Sequence, residues 1–282
     1  MSLTRRLIAA GFTDLEKSSR FLQAPELEGL DEAALFTGFL QAADPDLALQ
    51  SLVRLLDRVP ELRELVEGGE EESEALFRLL GASEALAEFL MRHPEAADSL
   101  RAPLRAEPAE VAADILRASL LESVKAGTGN APVAGLTGTE AYVALRARYR
   151  RHLLDLAVRD LGAASPTDVL PAVGRELADL AGAALEAALA VSRAELAASY
   201  PPEDISRVHL AVIAMGKCGA RELNYISDVD VIYVMESTGL DDTIAGKIGT
   251  ALAAGISRAI NASAPEPGLW EIDTNLRPEG KD

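Results

Sequence analysis

Two aspartates separated by one residue, Asp228 and Asp230, lie at the start of the β-branched run "VDVIYVM" (229–235). Side chains two residues apart on a strand point to the same face, so both carboxylates are predicted to share one side of a sheet. Carboxylates this close repel each other, and an apolar strand accommodates them poorly unless a cation or water compensates their charge. The pair therefore predicts a site for a hard divalent cation, Mg²⁺ or Mn²⁺.

A third carboxylate, Asp273, lies in a later strand candidate, "LWEIDTNL" (269–276). Three acids on adjacent strands could hold two metal ions, which can bind the attacking and the leaving oxygen at a phosphorus atom. This is the chemistry of nucleotidyl transfer. The plain alternative is that the Asp-x-Asp pair lies in a solvated turn or edge strand, and that Asp273 is a helix-capping or edge-strand acid.

A glycine-rich turn precedes the aspartate pair in "IAMGKCGARELNYISDVDVIYV" (213–234). Gly216 and Gly219 allow a tight turn after a strand, and the segment from Lys217 to Leu223 is predicted to be a short helix with its amides towards a phosphate. Lys217 could add a positive charge there, although a solvent-facing lysine is equally compatible with the pattern. Cys218, in the same turn, is predicted to be a small filler.

The elements that must position these residues change character near residue 204. Strands are predicted at 207–215, 229–235 and 269–276, with a helix over 241–263 between the second and the third. Before them, apolar residues recur at helical spacing over 31–43, 44–59, 71–95, 110–124, 139–161 and 165–200. The pattern predicts an α+β fold, with a helical leader over 1–204 and a mixed-sheet domain over 205–282.

Composition limits the classes of function. The chain has 282 residues, a net charge of −18 and one cysteine. Such an acidic chain disfavours long nucleic acid or an anionic membrane as a partner, and a lone cysteine excludes an internal disulfide. No stretch approaches the 18 or so apolar residues that span a bilayer. We therefore expect a cytoplasmic protein that binds neither nucleic acid nor membrane.

One basic run, "RARYRRH" (146–152), stands out in this acidic sequence. It could contact an acidic partner or nucleotide phosphates. The simpler interpretation, which the pattern favours, is a solvated face of a long helix whose arginines pair with neighbouring acids.

The glycine turn and the aspartates together form the pattern G-K-x-G-x-R-E-L-N-x-x-S-D-x-D, from Gly216 to Asp230. This pattern resembles the signature of the glutamine synthetase adenylyltransferase/adenylyl-removing enzyme family, a branch of the polymerase-beta-type nucleotidyltransferases. The segments "SSRFL", "LLGASEALAEFLMRHPE" and "ELADLAGAALEAALAVSRAEL" resemble the family's helical leader, and "DTNLRPEGKD" its third-carboxylate strand. The resemblance covers most of the chain.

The resemblance implies a metal-dependent nucleotidyltransferase that acts on glutamine synthetase. Members have two nucleotidyltransferase domains and about three times this length, so the chain is interpreted as a truncated N-terminal part. That part removes AMP from a tyrosine of glutamine synthetase: phosphate attacks and ADP leaves. The partners implied are glutamine synthetase, the nucleotides ATP and ADP, phosphate, and a PII-type signal protein.

Residue roles follow from the same resemblance. The three aspartates would be catalytic and would bind the metal ions. The residues predicted to bind nucleotide or phosphate are Gly216, Lys217, Ser227 and Arg277, with Arg221 and Glu222 as supports for the loop. Asn275 stands where many relatives have arginine, which leaves Arg277 as the candidate partner for an anion.

Two other functions remain open at this point. The chain could be a docking or regulatory module that binds glutamine synthetase or a PII-type signal protein, and weak or no activity is expected from residues 1–282 alone. A nucleotidyltransferase for an RNA end or an antibiotic would share the metal site, but the acidic charge argues against long nucleic-acid substrates.

Overall fold

The computed structural model describes residues 2–68, 70–101 and 110–275. It divides into two compact units, Met1–Ala109 with Leu154–Pro166, and Glu110–Leu153 with Thr167–Asp282. The fold is α+β, as the sequence predicts. In the described part of the chain, none of the helices combines the length and the apolar character needed to cross a bilayer.

The first unit is helical. Its helices are α1 (Leu3–Ala9), α2 (Leu15–Phe21), α3 (Glu32–Phe39), α4 (Pro45–Arg58), α5 (Arg63–Glu67), α6 (Glu70–Leu80) and α7 (Glu84–Arg92), with short 3₁₀ turns at Pro25–Leu27, Pro60–Leu62 and Pro94–Arg101. Phe12 and Phe77 both pack edge-to-face against Phe39, with ring centroids 5.2 and 5.0 Å apart.

Aspartate side chains cap the first turns of the helices α3 and α4 in this unit. Asp31 accepts hydrogen bonds from the first amides of α3, and Asp44 accepts one from Leu47 N in α4. The turn between α6 and α7 lies at Gly81, where a Cβ would come within 2.7 Å of the Ala42 Cβ. The turn therefore packs too closely on the start of α4 for a larger residue.

The second unit contains the remaining helices and the sheet. Its helices are α8 (Ala113–Ser123), α9 (Gly138–Gly162, of which 138–153 belong to this unit), α10 (Pro166–Leu196), α11 (Pro202–Ser206), α12 (Gly216–Gly219) and α13 (Asp242–Asn261). The strands are β1 (Val208–Ala214), β2 (Val229–Ser237) and β3 (Ile272–Asp273). The change from helix to strand falls near the predicted boundary at residue 204, but the compact unit that holds the sheet begins at Glu110.

The sheet is mixed and has the order β1-β2-β3. The whole of β1 pairs antiparallel with residues 231–237 of β2, whereas the first two residues of β2 pair in parallel with the two residues of β3. β3 is therefore shorter than the predicted strand over 269–276. One face of the sheet packs on α13, where Val229 and Val231 are fully buried.

The basic run of α9 is not a solvated face, so that interpretation was wrong. Arg146 is fully buried and donates to the carbonyl oxygens of Arg258, Ala259, Ala262 and Glu266, at 2.7–3.1 Å. Arg150 donates to the carboxylate of Glu266 and to the carbonyl of Pro267, both at 2.9 Å. The two guanidinium groups thus satisfy carbonyls at the end of α13 and in the segment after it.

Candidate functional site

Three aspartates meet at one end of the sheet. Asp228 directly precedes β2, Asp230 is its second residue, and Asp273 is the last residue of β3. The parallel register pairs Asp230 with Asp273, and Val229 N donates to Glu271 O at 2.9 Å to hold the two strands together. One carboxylate oxygen from each aspartate lies within 4.8 Å of the other two.

The three carboxylates are accessible from solvent. Asp228 is exposed, and Asp230 and Asp273 are half-buried. One oxygen of Asp273 accepts a hydrogen bond from Asn275 N at 2.7 Å, which fixes that side chain. Asp228 lies just before the strand and not on it, but its carboxylate still joins the cluster because the extended chain continues into β2.

The donor set fits a hard divalent cation. Two oxygens bound to the same Mg²⁺ are at most about 4.2 Å apart, since each Mg–O bond is about 2.1 Å long. The separation limit of 4.8 Å in the cluster therefore requires side-chain adjustments of under about 1 Å. All three donors are carboxylates, which are the ligands that Mg²⁺ and Mn²⁺ prefer.

The glycine turn lies directly against Asp230. Gly216 has a φ of +53°, and a Cβ at this position would lie 2.5 Å from Oδ2 of Asp230. Met215 N donates to Asp230 O at 2.9 Å, so the residue before the glycine is also tied to this aspartate. Glycine is required here for two reasons, the left-handed backbone and the contact with the carboxylate.

The loop between the glycine turn and Asp228 is held by α10. Arg221, which has an unusual φ of +59°, forms an ion pair with Asp179 at 2.5 Å. One and a half turns earlier on α10, a Cβ on Gly174 would lie 3.2 Å from Glu222 Cα. Sequence reasoning missed both helix residues, because nothing in the spacing of Asp179 or Gly174 marks them as partners of this loop.

The residues predicted to contact phosphate are placed differently. Lys217 is exposed on α12, which is shorter than the predicted helix over 217–223. Ser227 is half-buried next to Asp228. Arg277 lies outside the described residues. Their contact with nucleotide or phosphate stays a prediction.

Cys218 is a buried residue of α12, as expected for a filler. Burial raises the pKa of its thiol, and the nearby charges of Asp179 and Asp230 raise it further. A thiol in this state is a weak nucleophile. It lines a cavity of about 500 Å³ between α10 and β1, on the side of the sheet that also carries Leu210 and Val212. The carboxylates lie on the opposite, open face.

Comparisons with known proteins agree on one family. The family model described as "Glutamate-ammonia ligase adenylyltransferase" matches residues 73–282. The chain is 45% identical over 269 residues to a protein of Leifsonia xyli subsp. xyli named "Bifunctional glutamine synthetase adenylyltransferase/adenylyl-removing enzyme". The aligned region covers 90% of this chain and 26% of the relative.

Two further relatives carry the same name. One from Streptomyces coelicolor is 41% identical over 287 residues, covering 98% of this chain and 26% of the relative. One from Cutibacterium acnes is 42% identical over 243 residues, covering 84% of this chain and 23% of the relative. The chain spans about a quarter of the length of the curated relatives it matches.

Proposed function

This chain belongs to the glutamate-ammonia ligase adenylyltransferase family, and on that premise we propose that it carries a nucleotidyl-transfer site that acts on glutamine synthetase. The reaction proposed is removal of AMP from a tyrosine of that protein by phosphate. The observation that carries the proposal is the convergence of Asp228, Asp230 and Asp273. The name of the relatives includes both the adding and the removing activity, and the N-terminal position suggested by the resemblance favours removal.

The bonds in the proposed reaction balance. An oxygen of inorganic phosphate forms a bond to the phosphorus of the tyrosine-linked AMP, and the bond from that phosphorus to the tyrosine oxygen breaks. The proton of the attacking hydrogen phosphate passes to the tyrosine oxygen, and the products are ADP and unmodified tyrosine. The phosphate and phosphoryl oxygens carry negative charge, and the leaving tyrosine oxygen gains it in the transition state, which makes compensation of negative charge the main requirement of the site.

The three carboxylates would meet this requirement by holding Mg²⁺ or Mn²⁺. When bound, such ions supply positive charge at the phosphoryl oxygens and hold the reacting groups in line. The protein's contribution is position. Gly216 leaves room for the Asp230 carboxylate, Asn275 N fixes Asp273, and α10 holds the loop through Asp179.

Anion binding would come from the other predicted residues. Lys217, Ser227 and Arg277 are proposed to contact phosphate oxygens, with Gly216 allowing close approach of the backbone. In a chain of net charge −18, a local cation such as Lys217 matters because the surrounding field repels phosphate. ATP and a PII-type signal protein remain proposed partners that follow from the resemblance alone.

A metal titration tests the site without requiring turnover. We expect Asp228→Asn to weaken Mn²⁺ binding at least tenfold in titration calorimetry, because the cluster loses a charged ligand. Melting of the variant should match wild type, since Asp228 is exposed. Glu236→Gln is a suitable control, because this exposed acid lies on the same strand away from the cluster. Equal Mn²⁺ affinity in Asp228→Asn and wild type would refute the metal site.

The reaction itself is tested by product analysis. Adenylylated glutamine synthetase, phosphate and Mg²⁺ are incubated with the protein, and ADP is measured by chromatography. Release of ADP that depends on phosphate supports phosphorolysis. Release of AMP in the absence of phosphate would instead identify water as the nucleophile and refute the proposed reaction.

A further inference from the structure

The sheet face that carries Asp230 also carries exposed aliphatic side chains. The antiparallel register places Ile213 opposite Ile232 and Ala211 opposite Val234. Since Asp230 precedes Ile232 by two residues on β2, it shares this face. We call Ala211, Ile213, Ile232 and Val234 the apolar patch.

Exposure of the patch is large for residues of this type. Ile213, Ile232 and Val234 are 45%, 42% and 51% exposed, whereas Val229 and Val231, which alternate with them on β2, are 0% and 1% exposed. The solvated face of a sheet that is covered on one side normally carries polar residues. Aliphatic side chains on the open face therefore indicate contact with another surface.

The patch is continuous with the carboxylate cluster. Along β2, Ile232 lies about 7 Å and Val234 about 14 Å from Asp230, at about 3.4 Å per residue. His209 and Glu236, which face each other in the register, end the patch on the far side. A broad surface that lies over the carboxylates from the open face therefore also reaches Ile213 and Ile232.

We infer that the apolar patch is the surface on which the protein substrate docks, through apolar side chains next to its adenylylated tyrosine. The inference rests on the proposed function, in which the modified group belongs to a folded protein. A protein surface that presents one residue to Asp230 covers about 800 Å² in a standard interface, which extends well beyond the cluster. The patch supplies the apolar centre that such an interface needs.

The chemistry of the patch favours a protein over the nucleotide as its occupant. Aliphatic carbons offer no hydrogen bonds to phosphate or ribose, and nucleotides bind mostly in concave sites with a few placed polar groups. The patch lies on an open sheet face with carboxylates at one end. It complements aliphatic or aromatic side chains of a partner.

Binding measurements on two patch variants test the inference. Ile232→Ser and Val234→Ser should each weaken binding of adenylylated glutamine synthetase at least tenfold in interferometry. Their affinities for Mn²⁺ and ADP in calorimetry should equal those of wild type. The matched control is Ile244→Ser, because Ile244 is 41% exposed on α13, which covers the other face of the sheet. This control should leave all three affinities unchanged.

Accessibility is tested by labelling. In Val234→Cys, the new thiol should react quickly with a maleimide, and added glutamine synthetase should slow the reaction at least fivefold. Cys218 is buried and gives little background. Protection of the new thiol without any partner would overturn the inference, because the patch would then be covered by the protein itself.

The remaining outcomes separate the two proposals. If wild type binds glutamine synthetase but the patch variants bind it equally well, the docking surface is wrong and the proposed function stands. Weaker binding of ADP in the patch variants would assign the patch to the nucleobase and also overturn the docking surface. If wild type does not bind glutamine synthetase, both the inference and the proposed partner fail.

Discussion

Replacing Gly216 by alanine perturbs the candidate site through a single methyl group. The glycine has a φ of +53°, and the added Cβ would lie 2.5 Å from Oδ2 of Asp230. An ordinary contact between carbon and oxygen is at least about 3.3 Å. Either the carboxylate or the turn must therefore move by about 0.8 Å, which is the difference between these two distances.

The expected effect on the site is much larger than the effect on stability. Alanine in a left-handed conformation costs about 1–2 kcal/mol, so melting should fall by only a few degrees. Displacing a reacting or ligating group by about 1 Å can reduce a rate about 100-fold. We therefore expect Gly216→Ala to lose most of its Mn²⁺ affinity, and any phosphorolysis, while it remains folded.

Calorimetric titration with Mn²⁺ and thermal unfolding of the same sample separate these two effects. Gly246→Ala is a suitable control because Gly246 is inside α13, has an ordinary φ and has no atom within 4 Å of an added Cβ. This control should keep its Mn²⁺ affinity and gain about 0.5–1 kcal/mol of stability. Wild-type Mn²⁺ affinity in Gly216→Ala would refute the proposed contact between the turn and the ligand.

Three further predictions concern stability. Arg146→Met should lower the free energy of unfolding in urea by about 3–5 kcal/mol, because four carbonyls lose a buried donor. Arg148→Met, at a half-exposed position, should cost under about 1 kcal/mol. Equal losses in the two variants would contradict the structural role of Arg146. Burial raises the pKa of Tyr149 from 10.0 to about 12. The neutral phenol therefore contributes stability below pH 10, and this contribution of at most about 3 kcal/mol is lost as the pH rises towards 12. Tyr149→Phe should lose less stability than wild type between about pH 9 and 11.5, and an equal loss would contradict the raised pKa. Asp179→Asn should speed amide hydrogen exchange in residues 220–228. The overall free energy of unfolding should change by under about 1 kcal/mol, since the partner Arg221 is half-exposed. Unchanged exchange would count against the role of this ion pair.

The carboxylate cluster could be predicted from the sequence because its signals are local. Asp228 and Asp230 are two residues apart, and the β-branched run after them predicts a strand. Gly216 is marked by its position between a strand and the aspartates. Asp273 required the further assumption that its strand lies beside β2, and the parallel pairing of β2 with β3 fulfils it. The α+β fold and the membership of the family are confirmed.

Contacts between distant segments could not be predicted from the same patterns. The acceptors of Arg146 are backbone carbonyls more than 110 residues away, and every residue has a carbonyl, so side-chain types give no hint of them. The sequence pattern therefore favours charge pairing along one helix for the basic run, and this interpretation was wrong. Asp179 is one acid among 45 acidic residues, and only the fold identifies it as the partner of Arg221.

The buried arginines of α9 have a consequence for dissecting this protein. Arg146 and Arg150 bind the chain from 258 to 268, which leads directly into the strand of Asp273. A fragment cut at residue 205 would retain the whole signature and all three aspartates. It would lack both guanidinium groups, and six backbone acceptors would lose their donors. The smallest fragment that preserves the site is therefore longer than the sequence motif. It includes helix α9, which contributes no metal ligand.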